Sequence, residues 1–157
     1  SKSFASHGGF ICGNSTLINY LQQTTRSQLF SSALPPLLAA ASNASLNIIK
    51  SNHGLNLRHA ITCNINYFID LCLEYELPIY NADFNQSPIQ VLIFKDKKPV
   101  EYIFQQLLQK KIRVGRMLYP TVAKNEPRLR ISLSAKHTST DIKLLCQTMA
   151  DAICHMS

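Results

Sequence analysis

The sequence predicts an α+β fold in which three strands form one layer and helices cover one side of it. Two observations carry this prediction. Apolar residues recur at helical spacing in three segments after residue 52, and apolar and polar residues alternate along residues 128–134. From residue 53 onward the predicted order is helix, strand, helix, strand, strand, helix, which is typical of a two-layer domain.

Three segments have the composition of strands, namely residues 89–94, 112–118 and 128–134. The first is a nearly continuous apolar run, which indicates a well-buried strand. In the third, successive side chains point to opposite faces, so the polar residues share one face and the apolar residues the other. The predicted apolar set is Leu129, Ile131 and Leu133.

Three helices accompany these strands. A long amphipathic helix is expected between the boundary at Ser51–Gly54 and Pro78, and a second helix with an apolar stripe is expected from Val100 to Leu108. The final helix begins at Thr138–Asp141, where the pattern of hydroxyl and acidic residues is typical of a capping box.

Residues 1–52 have a different organisation. Phe10–Cys12 is predicted as a short buried strand, and Asn14–Thr16 supplies a helix N-cap. Residues 27–34 are predicted as a loop, after which Pro35–Pro36 opens a helix that ends near Lys50, because proline is tolerated in the first helical turn. We expect residues 1–52 to be the end of a larger domain and residues 53–157 to form a compact α+β domain.

Composition narrows the classes of partner. The 157 residues carry 16 Lys+Arg against nine Asp+Glu, a formal net charge of +7. The basic residues are scattered and lack an RNA-binding aromatic motif, so we expect no nucleic-acid partner and favour small anionic molecules. The five cysteines are odd in number and widely spaced, and most fall on apolar helical faces, which indicates buried thiols in a reducing compartment. No metal site is predicted, because no His/Cys cluster has ligand spacing. No apolar run approaches the length of a membrane span, so no membrane partner is expected.

The start of the chain places Lys2 between two serines, ahead of the pair Gly8–Gly9. Hydroxyls can donate to a phosphate, and glycines let the backbone approach a planar ligand closely. A solvent-exposed lysine near a chain terminus is the alternative.

Ser31 and Ser32 lie shortly before the predicted helix that opens at Pro35–Pro36. A helix N-terminus favours an anion, but prolines lack N–H donors, so the two hydroxyls and neighbouring backbone amides would do most of the binding. The alternative is that both serines only cap the helix.

Four motifs occur in one order along the chain: Ser-Lys-Ser-Phe followed by Gly-Gly-Phe, Phe-Ser-Ser-Ala-Leu-Pro-Pro, Ser-Pro-Ile-Gln, and Pro-Arg-Leu-Arg-Ile-Ser-Leu-Ser-Ala-Lys-His. Together they resemble the α-oxoamine synthase family of fold-type I pyridoxal-phosphate enzymes, over essentially the whole chain. Because members of that family are more than twice as long, the resemblance implies that this chain is the C-terminal part of a larger enzyme. Residues 1–52 would then be a remnant of the large cofactor-binding domain, and residues 53–157 the small domain with a three-stranded antiparallel sheet.

The resemblance also implies roles for individual residues. Lys2 would form a Schiff base with the cofactor, pyridoxal 5′-phosphate, and handle protons at the substrate Cα. Ser31 and Ser32 would contact a cofactor phosphate that belongs to the partner subunit of a homodimer. Arg130 would bind the carboxylate of the amino-acid substrate, and Thr121 would lie close to the substrate.

The implied partners are an amino acid and an acyl-CoA or acyl-carrier-protein thioester, in a cytoplasmic enzyme. Periodicity alone places Arg128 and Arg130 on the same strand face, so the motif rather than the alternation selects Arg130. The resemblance leaves open which amino acid and which acyl group are used. A non-enzymatic α+β module that binds an acidic partner through its basic surface is the alternative from another class, although it would leave Lys2 and the two serines unexplained.

Overall fold

The computed structural model describes residues 4–80, 82 and 86–156. The chain forms two compact units, one up to Leu55 and the other from Asn56 onward. The predicted assignment of residues 1–52 and 53–157 to two domains of a longer enzyme stays a prediction.

The first unit is helical in its described part. It contains α1 (Ser15–Thr24), α2 (Arg26–Leu29) and α3 (Pro36–Lys50). The predicted N-cap of α1 is confirmed, because the side chain of Asn14 accepts a hydrogen bond from the Leu17 amide at 2.8 Å. The predicted proline start of α3 is confirmed as well.

Two predictions for the first unit are wrong. Phe10–Cys12 is not a strand and not buried, since Phe10 is 74% and Ile11 66% exposed. A strand needs a neighbouring strand for its backbone hydrogen bonds, and the described residues of this unit offer only helices. The segment predicted as a loop over residues 27–34 contains most of the short helix α2, which closes with a bond from the Phe30 amide to the Arg26 carbonyl.

The long helix α4 (Asn52–Glu74) follows α3 almost directly. Ser51 joins the two, because its hydroxyl donates to the Ile48 carbonyl at 2.7 Å and accepts from the Gly54 amide at 3.2 Å. A Cβ at Gly54 would overlap the Ile48 carbonyl and lie 2.9 Å from that of Ile49. The predicted boundary at Ser51–Gly54 is therefore a close approach of two consecutive helix ends, and α4 begins earlier than expected.

The second unit contains a three-stranded antiparallel sheet in the order β1-β3-β2, which confirms the predicted fold class. Most of α4 belongs to this unit. The remaining elements are β1 (Ile89–Ile93), α5 (Lys97–Gln109), β2 (Gly115–Met117), β3 (Arg128–Ser132) and α6 (Ser139–Cys154). The second strand is shorter than the predicted residues 112–118.

One face of the sheet is buried. Leu92 lies opposite Leu129, and Gln90 lies opposite Ile131, with all four side chains at 3% exposure or less. The predicted burial of alternate β3 residues is confirmed. Helix α5 packs against β3 and β2, and α6 packs against α5. Removing a Leu or Ile side chain fully from water contributes about 1.5–3 kcal/mol, so this face stabilises the unit.

Residues 78–80 cover the outer edge of β1. The Tyr80 amide donates to the Val91 carbonyl at 2.9 Å, and the Ile93 amide donates to the Pro78 carbonyl at 3.1 Å. At the other end of the unit, α6 begins with the predicted capping box, in which Thr138 and Asp141 bond to each other's backbone amides. Within the described residues, no helix combines the length and apolar character needed to cross a bilayer.

Candidate functional site

Lys2 lies outside the described residues. The segment that follows it is held against α3 within the first unit. The Ser6 hydroxyl donates to the Leu38 carbonyl, and the Ser45 hydroxyl donates to the Phe4 carbonyl, each at 2.9 Å. Phe4 and Phe10 contact each other edge to face, with ring centroids 5.7 Å apart. The segment after Lys2 is thus positioned against one helix by two hydrogen bonds, one donated by the segment and one by the helix.

Ser31 and Ser32 lie between α2 and α3 and are both exposed. Neither hydroxyl is engaged in a hydrogen bond within the part of the chain that the structure describes. The amides of Leu38 and Ala39 already donate to the Pro35 carbonyl. Since Pro35 and Pro36 have no N–H, an anion at this end of α3 would depend mainly on the two hydroxyls and on neighbouring backbone amides, as expected from the sequence.

A cavity of about 430 Å³ lies in the first unit beside these segments. Its walls include Phe4, Ser6 and Gly8 from the segment after Lys2, and Leu34 from the loop that carries the two serines. The segment after Lys2 and the loop that carries the two serines therefore border one cavity, but Ser31 and Ser32 themselves do not line it.

Arg130 lies in the middle of β3, the central strand, on the face opposite the core. It is exposed and pairs with Val91 of β1 and Gly115 of β2. Among residues 4–80 and 86–156, no carboxylate or hydrogen-bond acceptor engages its guanidinium. A guanidinium in this state is available to bind a carboxylate bidentately.

Arg128 is in a different state, although it lies on the same face of the same strand. Its Nη2 forms an ion pair with Glu126 Oε2 at 2.7 Å, and its Nε donates to the Glu126 carbonyl at 3.1 Å. Its side chain is 23% exposed. Alternation along the strand could not distinguish the two arginines, but their partners do. Within the described residues, the guanidinium of Arg128 is paired with Glu126 and that of Arg130 is free.

Thr121 lies in the turn after β2, where its amide donates to the Leu118 carbonyl at 2.9 Å. The turn contains a cis peptide bond between Tyr119 and Pro120. Thr121 is exposed, and no hydrogen bond links it to Arg130 within the described residues. The structure thus places Arg130 and Thr121 in the second unit and the two serines in the first.

Gly115 is a neighbour of Arg130 that the sequence analysis did not single out. A glycine inside a predicted strand frequently marks a close approach of another group, and that signal was present in residues 112–118.

The residues that follow β3 have structural roles. His137 Nδ1 accepts the Ser134 amide at 3.2 Å, and the Asn64 side chain donates to the carbonyls of both Ser134 and His137 at 2.9 Å. Helix α4 therefore fixes the loop that leads from β3 to α6. No cluster of metal-binding side chains occurs among the residues described.

Two groups have shifted pKa values among the described residues of the second unit. Hydrogen bonds from the Thr138 backbone and hydroxyl lower the pKa of the Asp141 carboxyl. A hydrogen bond with Cys146, together with burial, raises the pKa of the Cys72 thiol well above its usual range, so Cys72 stays neutral. Cys12, Cys63 and Cys154 are exposed, so the prediction of buried thiols holds for only two of the five.

The chain is similar to proteins of a known family. A model of the family described as aminotransferase class I and II matches residues 1–149. The 8-amino-7-oxononanoate synthase of Saccharophagus degradans is 30% identical over 156 residues, which cover 99% of this chain and 38% of the relative. The chain thus spans about two fifths of the length of the curated relatives that it matches.

Two solved structures have the same fold. The 8-amino-7-oxononanoate synthase of Francisella tularensis superimposes with a TM-score of 0.77 at 25% identity, over 92% of this chain and 41% of that one. A serine palmitoyltransferase from S. paucimobilis with a bound PLP–myriocin aldimine gives 0.81 at 20% identity, over 96% of this chain and 37% of that one. These matches confirm the relationship that the four motifs predicted, and the chain belongs to the aminotransferase class I and II family.

Proposed function

We propose that the chain is part of a pyridoxal-phosphate-dependent acyl-CoA:amino acid C-acyltransferase. In this reaction an amino acid loses its Cα proton, attacks an acyl thioester with release of the thiol, and loses CO₂ to give an α-oxoamine. Among the members we favour 8-amino-7-oxononanoate synthase of biotin biosynthesis, because relatives of this chain carry that name. Glycine C-acetyltransferase, 5-aminolevulinate synthase and serine palmitoyltransferase are the alternatives within the family.

The observation that carries the proposal is the free guanidinium of Arg130. An amino-acid substrate must be held by its carboxylate so that the bond to be broken at Cα has a fixed orientation. Arg130 is exposed and unpaired within the described residues, whereas Arg128 is already neutralised by Glu126. The geometry therefore favours the arginine that the family resemblance had selected.

The other residues would bind and position the cofactor. Pyridoxal phosphate, when bound, accepts the electron pair that is released when a bond to the substrate Cα breaks. Lys2 would supply the amine that attaches the cofactor and would carry the Cα proton. Ser31 and Ser32 would donate to the phosphate of the cofactor held by the partner subunit of a homodimer, and Thr121 would approach the substrate.

Replacing Lys2 and Arg130 separately in the full-length protein tests this assignment. Lys2→Ala should abolish turnover and the absorption band of the lysine-attached cofactor. Arg130→Ala should keep that band but weaken amino-acid binding by about 1.5–3 kcal/mol, the usual range for a hydrogen bond to a charged group. The measurement is a spectral titration with the amino acid, and Arg128→Ala is the matched control.

Either of two outcomes would contradict the proposal. If Arg128→Ala weakens binding and Arg130→Ala does not, the carboxylate is held by the other arginine. If Lys2→Ala keeps the band without an added amine, Lys2 does not attach the cofactor.

The phosphate contact has its own test. Ser32→Ala in the full-length protein should weaken cofactor affinity by about 1.5–3 kcal/mol, because a hydrogen bond to a charged group is lost. Ser27→Ala, an exposed serine in α2, is the control and should leave the affinity unchanged. Equal affinities of the Ser32→Ala variant and the parent would contradict the assigned contact.

A further inference from the structure

We propose that Gly115 and Val91 together aim the guanidinium of Arg130, so that Gly115 is a positioning residue for the substrate carboxylate. This inference rests on the proposed function, because it assumes that Arg130 binds the amino acid. It starts from the sheet register, in which Arg130 of β3 lies directly opposite Gly115 of β2 on one side and Val91 of β1 on the other. Directly paired residues in a sheet project from the same face.

The space above Gly115 is taken by Arg130. A Cβ at Gly115 would lie 3.3 Å from the Arg130 Cβ, 3.3 Å from its carbonyl oxygen and 3.5 Å from its Nε. The last distance shows that the arginine side chain folds over the glycine, so that its guanidinium end starts above β2. The first two are tighter than ordinary van der Waals contact, so a side chain at position 115 would force β2 or Arg130 to move.

Backbone conformation does not explain this glycine. The φ angle of Gly115 lies outside the left-handed region that favours glycine, so other residues could adopt its backbone without strain. What the position requires is the absence of a side chain beneath Arg130. Glycine otherwise weakens a strand, so its presence here has a local cause in the neighbouring side chain.

On the β1 side of Arg130, the neighbouring position carries a side chain and is not open. Val91 is half-buried and branched at Cβ, and it occupies the outer face of β1 beside Arg130. A stiff branched side chain on one side and an open glycine on the other give Arg130 one direction in which to lean. That direction is toward β2, the strand that leads into the turn containing Thr121.

A displaced guanidinium should bind the carboxylate less well. Forcing a side chain about 30° from its preferred rotamer corresponds to roughly a threefold to tenfold loss in affinity. We therefore expect Gly115→Ala to weaken amino-acid binding by about that factor, and Val91→Ala to do so by a similar or smaller factor. Met117→Ala is the matched control, because Met117 lies on the same face of β2 but opposite Arg128.

The decisive experiment is a double-mutant cycle in the cofactor-loaded full-length protein, with amino-acid affinity measured by spectral titration. Gly115→Ala should weaken binding in the parent but have no effect in an Arg130→Ala background, because contacting residues act non-additively. The midpoint of urea unfolding is followed for each variant, and Val91→Ala provides the test from the other side if Gly115→Ala does not fold.

A second measurement follows the position of the Arg130 side chain directly and does not require enzymatic activity. In the 157-residue chain, the ¹⁵N resonance of the Arg130 Nε–H reports directly on the position of the side chain. We expect it to shift in Gly115→Ala and to stay in place in Met117→Ala.

The outcomes separate this inference from the proposed function. If Arg130→Ala leaves amino-acid affinity unchanged, the carboxylate role fails and the positioning role fails with it. If Arg130→Ala weakens binding but Gly115→Ala and Val91→Ala do not, the positioning role alone is overturned. It is also overturned if Gly115→Ala weakens binding equally in both backgrounds, since the effect would then pass through the sheet rather than through Arg130.

Discussion

The two units reach their secondary structure by different means. In the second unit, helices and strands enclose a core of buried apolar side chains that extends from Ile65 to Ala152. In the first unit, α1, α2 and α3 contain no buried residue. Large apolar side chains there face solvent, with Phe30 and Leu37 both 80% exposed.

This difference separates local from tertiary stabilisation. The helices of the first unit are stabilised by caps and hydrogen bonds rather than by a buried core, and a cap such as Asn14 of α1 contributes on the order of 1 kcal/mol. The second unit adds the burial of several large side chains, each worth about 1.5–3 kcal/mol. We therefore expect the 157-residue chain to unfold with its cooperative transition in the second unit.

The largest expected effect comes from truncating one phenylalanine in each unit. Phe68 is completely buried in the core, and its replacement by alanine should lower the free energy of unfolding by about 3–5 kcal/mol. Phe30→Ala, at 80% exposure, should change it by no more than about 0.5 kcal/mol. Urea unfolding followed by circular dichroism measures both. Comparable losses in the two variants would show that the first unit has a core of its own.

A smaller effect is expected at the helix caps. Thr138→Ala removes the capping box of α6 and should lower the free energy of unfolding of the second unit by about 1 kcal/mol. Asn14→Ala removes the cap of α1, and because α1 buries nothing, it should reduce helical content without moving the main transition. The control is Ser139→Ala at the first, exposed residue of α6. A shift of the main transition by Asn14→Ala would contradict the division between the units.

The smallest expected effect is a pH dependence in the second unit. The pKa of Asp141 is lowered by bonds from Thr138, so its stabilising contribution is present above the unfolded pKa of about 4 and is lost as the pH falls through the lower folded pKa. The stability difference between the parent and Asp141→Ala should therefore be constant above about pH 5 and shrink below about pH 4. Unfolding midpoints measured across this range test it, and a difference that does not vary with pH would refute it.

Local patterns predicted the second unit well, because its elements follow rules that involve near neighbours. The capping box of Thr138 and Asp141 needs residues three apart, and the alternation in β3 needs only the burial of one sheet face. Phe10–Cys12 was misassigned because an apolar run specifies a strand only where another strand pairs with it. The first unit offers no such strand among its described residues.

The candidate site was predictable only in part. Motifs identified Arg130, but its contrast with Arg128 depends on the ion pair between Arg128 and Glu126. The sequence shows that these two residues are close along the chain, but it does not show that they form an ion pair. The contact between Gly115 and Arg130 depends on the register of β2 against β3, over a separation that no local pattern encodes. Side-chain partners across strands are thus the information that sequence reasoning lacked.

The covered edge of β1 has a consequence for association between chains. An open sheet edge presents unpaired amides and carbonyls that can recruit strands from other molecules and start aggregation. Here residues 78–80 cover the edge of β1, because the Tyr80 amide donates to the Val91 carbonyl and the Ile93 amide donates to the Pro78 carbonyl. The opposite edge of the sheet is β2, which is only three residues long and carries the charged Arg116. A short, charged edge and a capped one resist edge-to-edge pairing, so changes that detach residues 78–80 should promote self-association before they unfold the core.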